Sequence, residues 1–182
     1  MRYLAAIVGS SCLLAAGGCD SVTCKRPLGD APARIEASEW EGDWATDDGW
    51  VKVIVKDANN GLLTIAWLDT DKQANPEMKT MEVELRASGD RLFANTKGEE
   101  ATKGGGYWWG RIRKGDRRIV VWGPDVKAFR RLVEEGVFPG TLDGDDVHLG
   151  DLTADQQRII ISGERGVLFD WEDPGVFLRI AP

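Results

Sequence analysis

The chain has 182 residues, a formal net charge of −7 and a single histidine, a length that suits one domain with its own hydrophobic core. The acidic excess repels polyphosphate backbones and excludes a nucleic-acid role. Beyond the first residues no apolar run approaches the ~20 needed to cross a bilayer as a helix.

Arg2 precedes an apolar run from Leu4 to Ala16, and Leu13-Leu14-Ala15-Ala16-Gly17-Gly18-Cys19 follows. The run has signal-peptide length. Small residues leading into a cysteine resemble the lipobox of bacterial lipoproteins. The resemblance implies cleavage before Cys19, acylation of that cysteine (palmitate among its chains), and attachment to the cell envelope through lipid alone. Asp20 resembles the signal that keeps enterobacterial lipoproteins in the inner membrane, facing the periplasm. Residues 1–18 are then a signal peptide. Residues 19–38, with Pro27, Gly29 and Pro32 and few large apolar side chains, read as a flexible tether with a reach of ~25 Å. Cys24 is left without a partner in its own chain, either an idle thiol or one end of an intermolecular bridge.

From Glu39 onward the pattern turns to strands. Val51, Val53 and Val55 alternate with polar residues, Asn59-Asn60-Gly61 is a strong hairpin signal, and Leu62 to Leu68 returns. Met81, Val83 and Leu85 alternate toward a turn at Ser88-Gly89-Asp90, and Arg91 to Asn95 comes back. Tyr107 to Arg113, a turn at Lys114-Gly115-Asp116, and Arg117 to Trp122 form a third hairpin. Thr96 to Gly106, rich in Gly and charge, reads as a mobile loop, and its Lys103-Gly104-Gly105-Gly106 lacks the spacing of a phosphate loop. Val126, Phe129, Leu132 and Val133 have helical spacing, with Gly136 placed to end the helix. A small hairpin turning at Asp143-Gly144-Asp145 follows. Thr153 and Gln156 have capping-box spacing and favour a second short helix, against the β-branched Ile159-Ile160-Ile161, which would equally suit a strand. Val167 to Phe169 and Val176 to Ile180 are the expected closing strands. The fold class is therefore mainly β: an antiparallel up-and-down meander, closed into a small barrel or left as a strongly bent sheet, with one or two short helices in the C-terminal third.

Gly42-Asp43-Trp44 resembles the Gly-x-Trp of lipocalins, within the calycin superfamily. That resemblance implies a barrel end closed by Trp44 and covered by a cation from the last strand, where Arg179 stands. Gly42, Trp44 and Arg179 are thus the expected closure, with the guanidinium within ~6 Å of the indole centroid.

No catalytic constellation is visible in the sequence, and no motif calls for a cofactor or a metal. Asp143, Asp145 and Asp146 near His148 read as a polar turn sooner than as metal ligands. Eight tryptophans are the unusual feature. Trp67, Trp108, Trp109 and Trp122 are the candidate lining of a ligand cavity. Because Trp108 and Trp109 are adjacent on a strand, one of them must leave the core, for a partner, a covering helix or the membrane interface. Arg111, Arg113, Lys114, Arg117 and Arg118 make one hairpin end basic, a charged edge or a contact for anionic head groups. The expected function is binding of a small apolar or amphipathic ligand by a lipid-anchored domain. The alternative is an envelope protein that docks through exposed aromatics, and a metal-dependent enzyme comes a distant third.

Overall fold

The computed structural model describes residues 21–47, 49–69, 77–97, 106–162 and 168–180. The leader, Cys19, Asp20, residues 98–105 of the glycine-rich loop, and Val167 lie outside the described residues.

Eight antiparallel strands close on themselves. In chain order they are β3 (Gly42–Thr46), β4 (Gly49–Asp57), β5 (Leu62–Asp69), β6 (Glu77–Ser88), β7 (Arg91–Lys97), β8 (Tyr107–Lys114), β9 (Arg118–Trp122) and β12 (Gly175–Arg179). Consecutive strands pair from β3 to β9, and β12 fits between β9 and β3 to complete the ring. Closure removes the unpaired edges that an open sheet would expose. This is a small calycin-like barrel, and the bent open sheet is not formed.

Alternation along the strands sorts the side chains. Val51, Val53, Leu63, Val83, Leu85, Ile112, Ile119 and Val121 face inward and form the barrel core with Trp40 and Trp44. The first turn is fixed by the Asp57 carboxylate, which accepts from the Asn59 and Asn60 N–H groups, and by Gly61 at φ +62°. The Asn60 side-chain amide, which donates to the same carboxylate at 2.7 Å, and then those backbone bonds hold the Asp57 carboxyl below its ordinary range.

A second layer packs outside β7 and β8. It contains α2 (Val126–Glu134), the hairpin β10 (Gly140–Asp143) and β11 (Asp146–Leu149), and α3 (Ala154–Ser162). Asp125 caps α2 by accepting from the Ala128 N–H, and Gly136 ends it at φ +71°. Thr153 and Gln156 form the reciprocal capping box that starts α3. This layer has its own apolar core, built from Phe93, Trp109, Phe129, Phe138, Ile160 and Phe169 among others.

Residues 21–38 depart from the expected tether. β1 (Val22–Cys24) lies between β11, which it pairs in parallel, and β8, and β2 (Ala31–Pro32) pairs with β6. Val22, Cys24, Leu28, Ala33 and Ile35 are all buried. The segment carries few apolar residues, but nearly all of them enter one core or the other. Its partners lie far away in sequence, so no local period reveals them.

β8 is forked. Its first half pairs with β1 and its second half with β9, on the same edge. Gly110 marks the branch, because a Cβ there would stand 2.9 Å from the Trp122 carbonyl oxygen.

Two smaller expectations also change. The pattern at Glu39 belongs to a one-turn helix, α1 (Ala37–Trp40), which ends before β3 begins. The strand expected to end at Phe169 contributes a single bridge, to Pro124.

Candidate functional site

One end of the barrel is closed. Trp44 is fully buried, and its indole N–H donates to the Trp40 carbonyl oxygen at 2.9 Å. The Arg179 guanidinium carbon lies 5.6 Å from the Trp44 ring centroid. Its Nη2 donates to the carbonyl oxygens of Ser38 at 2.8 Å and Glu41 at 2.6 Å. The arginine thus covers the ring and satisfies carbonyls that the end of α1 leaves unpaired. Gly42, at φ +137°, lets the chain pass beneath the guanidinium.

Above this closure the barrel holds a cavity. It runs from Trp40 on α1 past Ile65, Met81, Ala94 and Phe177 to Trp108. Its volume is about 60 Å³. The walls are almost entirely apolar. Walls of this kind favour apolar atoms.

Of the four tryptophans expected in the lining, Trp108 is there. Trp67 faces inward and packs on the barrel core toward the end where β5 finishes. Trp109 and Trp122 are not part of the cavity. Trp109 points outward and is buried beneath α2 and its flanking loops, edge-on to Phe129 at 5.5 Å and to Phe169 at 5.8 Å. Trp122 stands outside the barrel against Trp171, with centroids 5.0 Å apart. The Trp108-Trp109 pair therefore splits between the barrel cavity and the outer core, and a covering helix takes the outward member. Trp40, absent from the sequence-based set, forms the floor of the cavity. Its position just before Gly42-Asp43-Trp44 was the one available clue.

Cys24 is buried beside Trp109, and desolvation pushes its thiol up to about 12. The Trp109 N–H has no acceptor in good geometry. It is turned toward the sulfur, a weak acceptor, and draws the thiol pKa slightly back down. A buried thiol of this kind is inert, unlike the exposed thiolates that exchange or bind metal.

The basic hairpin end is only partly free. Arg111 lies over Trp171 at 5.3 Å, Lys114 pairs with Glu39 at 3.2 Å, and Arg117 donates to the Arg179 carbonyl oxygen. Partial burial pulls the Arg111 pKa down, with the charge of Arg91 adding to the effect. His148 is exposed with its Nδ1 2.9 Å from the Thr23 hydroxyl. Among the described residues no group of three His, Cys, Asp or Glu side chains is placed to hold a metal ion.

The outer wall carries a row of exposed apolar side chains. Leu178 on β12 stands opposite Ala45, Ala45 opposite Trp50, and Leu68 opposite Met78. Val51 opposite Trp67 puts Trp50 beside Leu68 in the same register. Trp50 is 54% exposed, Leu68 46%, Met78 63% and Leu178 54%. Apolar side chains thus follow one another across neighbouring strands in a row that winds round the outside of the barrel.

No protein-family model, no curated protein and no solved structure matches the chain.

Proposed function

We propose that this is a lipid-anchored envelope lipoprotein whose barrel binds a small apolar or amphipathic ligand. The carrying observation is the apolar cavity between Trp40 and Trp108. The apolar space is narrow, with room for only a small group. That is the end of a slim chain and not a bulky ring system. The polar end of an amphipathic ligand stays outside, near the ion pair of Lys79 and Asp69 where β5 ends. Anchorage through Cys19, with Asp20 retaining the protein in the inner membrane, places the barrel where acyl and alkyl chains are abundant. The test is mass spectrometry of organic extracts of the purified native protein, beside an Ala94→Phe variant that fills the cavity. A stoichiometric apolar-chain compound in the native protein and none in the variant supports the reading. Equal amounts in both, or none in either, refutes it.

One observation favours a second reading, an envelope protein that docks through exposed aromatics. It is the row centred on Trp50. The two readings use different faces of the barrel.

A further inference from the structure

Across β7, β8 and β9, Phe93 stands opposite Arg111 and Arg111 opposite Trp122. Phe93 and Trp122 belong to the outer core, so Arg111 lies on the outer wall with them. Arg113, two residues on, is on the same face ~7 Å away. The pairing of Leu92 with Ile112 continues to Arg91 beside Arg113. Three arginines thus share one small patch of an acidic protein, on the outside of the barrel and apart from its cavity.

The patch lacks matching acids. On the neighbouring strand Arg86 meets Glu84 at 2.7 Å, and at the hairpin end Lys114 meets Glu39 at 3.2 Å. Among the described residues the side chains of Arg91, Arg111 and Arg113 have no ion pair and no hydrogen bond of this kind. Burial, the charge of Arg91 and the charge of Arg113 all disfavour the Arg111 cation, and only Asp90 favours it. A bound anion removes that repulsion.

Arg111 is also held in place. Its guanidinium carbon is 5.3 Å from the Trp171 centroid, and Trp171 rests on Trp122 at 5.0 Å and on Phe169 at 5.8 Å. The ring fixes the guanidinium but offers its N–H groups no oxygen to bond. A guanidinium fixed in this way loses less freedom on bonding an oxyanion than a free one does. Two phosphate oxygens match two N–H donors of one guanidinium, and a third oxygen is left for a second arginine. A carboxylate has only two oxygens and suits a three-cation patch less well.

We propose that Arg91, Arg111 and Arg113 form a binding site for a phosphate oxyanion on the outer wall of the barrel, with Trp171 holding the central guanidinium. A phospholipid head group and a soluble phosphate share this chemistry. β1 runs antiparallel to β8, so its N-terminal end points toward the end of β8 that carries Arg111 and Arg113. On the lipoprotein reading, Cys19 is two residues before Ser21 and so no more than ~8 Å from it. Head groups of the anchoring membrane are then the nearer source. The site itself does not depend on that reading.

The test is the rate at which phenylglyoxal modifies each arginine of the full-length protein, read residue by residue by mass spectrometry. Arg34, exposed and on the N-terminal segment, is the internal control. In detergent micelles, inorganic phosphate is compared with chloride at equal ionic strength. In liposomes, phosphatidylcholine containing phosphatidylglycerol is compared with phosphatidylcholine alone. The expected result is about tenfold slower modification of Arg111 and Arg113 near saturation, with Arg34 unchanged. Slowing by phosphatidylglycerol and not by inorganic phosphate supports the site with a lipid source. Slowing by inorganic phosphate and not by phosphatidylglycerol supports it with a soluble one. No slowing in either arm, equal slowing by chloride, or equal slowing at Arg34 overturns the proposal. In Arg111→Gln the protection of Arg113 should disappear, and unchanged protection there also overturns it. The wild-type footprint stands without any variant. Palmitate incorporation, lost in Cys19→Ser, reports the anchor separately: slowing by phosphate in a chain that takes up no palmitate supports the site and refutes the anchor.

Discussion

Arg179 and Trp44 face each other across the β3–β12 pairing, with the guanidinium carbon 5.6 Å from the indole centroid. They are far apart in sequence, so the contact exists only because the last strand closes on the first strand of the ring. Arg179→Ala removes the stacked surface and three hydrogen bonds to carbonyls at α1. The expected loss is ~1–2 kcal/mol by urea unfolding, because the site is partly open to water. Arg179→Lys should recover less than half, since an ammonium neither stacks nor bridges several carbonyls. Full recovery by lysine would show that charge alone matters at this end.

Gly61 is required twice over. The hairpin needs its positive φ, and a Cβ there would lie 2.6 Å from the Ala33 carbonyl oxygen and 2.8 Å from that of Leu85. Ala33 belongs to the N-terminal segment that crosses this turn on its way to α1. Gly61→Ala combines backbone strain with a collision against two buried carbonyls, and a loss of ~3 kcal/mol or more is expected. A variant within ~1 kcal/mol of the wild type would mean that the segment does not pack over the turn.

Cys24 makes stability depend on alkaline pH. Its thiol has an ordinary value of 9.0 and is pushed up to about 12 in the folded chain. Between these values the unfolded chain releases a proton that the folded chain keeps. The contribution is complete below about pH 9 and is lost as pH rises, at ~1.4 kcal/mol per unit. The difference in unfolding free energy between wild type and Cys24→Ala should therefore shift against the wild type from pH 9 to pH 11. A difference that stays constant across that range would show that the thiol is not desolvated.

The three hairpins, the helix over Val126, Phe129, Leu132 and Val133, the capping box at Thr153 and the Trp44–Arg179 closure were legible because each signal is local or belongs to a recognisable motif. Alternation also required Trp108 and Trp109 to part. It could not tell which of them entered the barrel, because a second core outside β8 has no signature within one strand. Trp122 fell on the wrong side for the same reason. Residues 21–38 carry no such signal for another reason: short strands with distant partners and scattered apolar residues have the composition of a linker. The row through Trp50, Leu68 and Met78 is visible only once the register of five strands is known.

Asn95 tests whether that N-terminal segment belongs to the fold. Its side chain is buried inside the protein, where its Oδ1 accepts from the Leu28 N–H at 2.7 Å and its Nδ2 donates to the Leu28 carbonyl oxygen at 3.0 Å. The amide thus treats Leu28 as a strand neighbour would, at a point where no strand runs beside it. Leu28 itself is 1% exposed, so water cannot take over either bond. In Asn95→Ala a buried donor and a buried acceptor both lose their partners, at ~1–3 kcal/mol each before relaxation, and a net loss of ~2–4 kcal/mol is expected. Hydrogen exchange separates this local effect from a general weakening. In the wild type the Leu28 amide should exchange through opening events nearly as costly as global unfolding. In Asn95→Ala it should exchange much faster, while amides of β4 and β5 slow or quicken only with the global change. Exchange of the wild-type Leu28 amide at the rate of an unstructured peptide would return residues 21–38 to the status of a tether, and with it the two cores would lose Val22, Cys24, Leu28, Ala33 and Ile35.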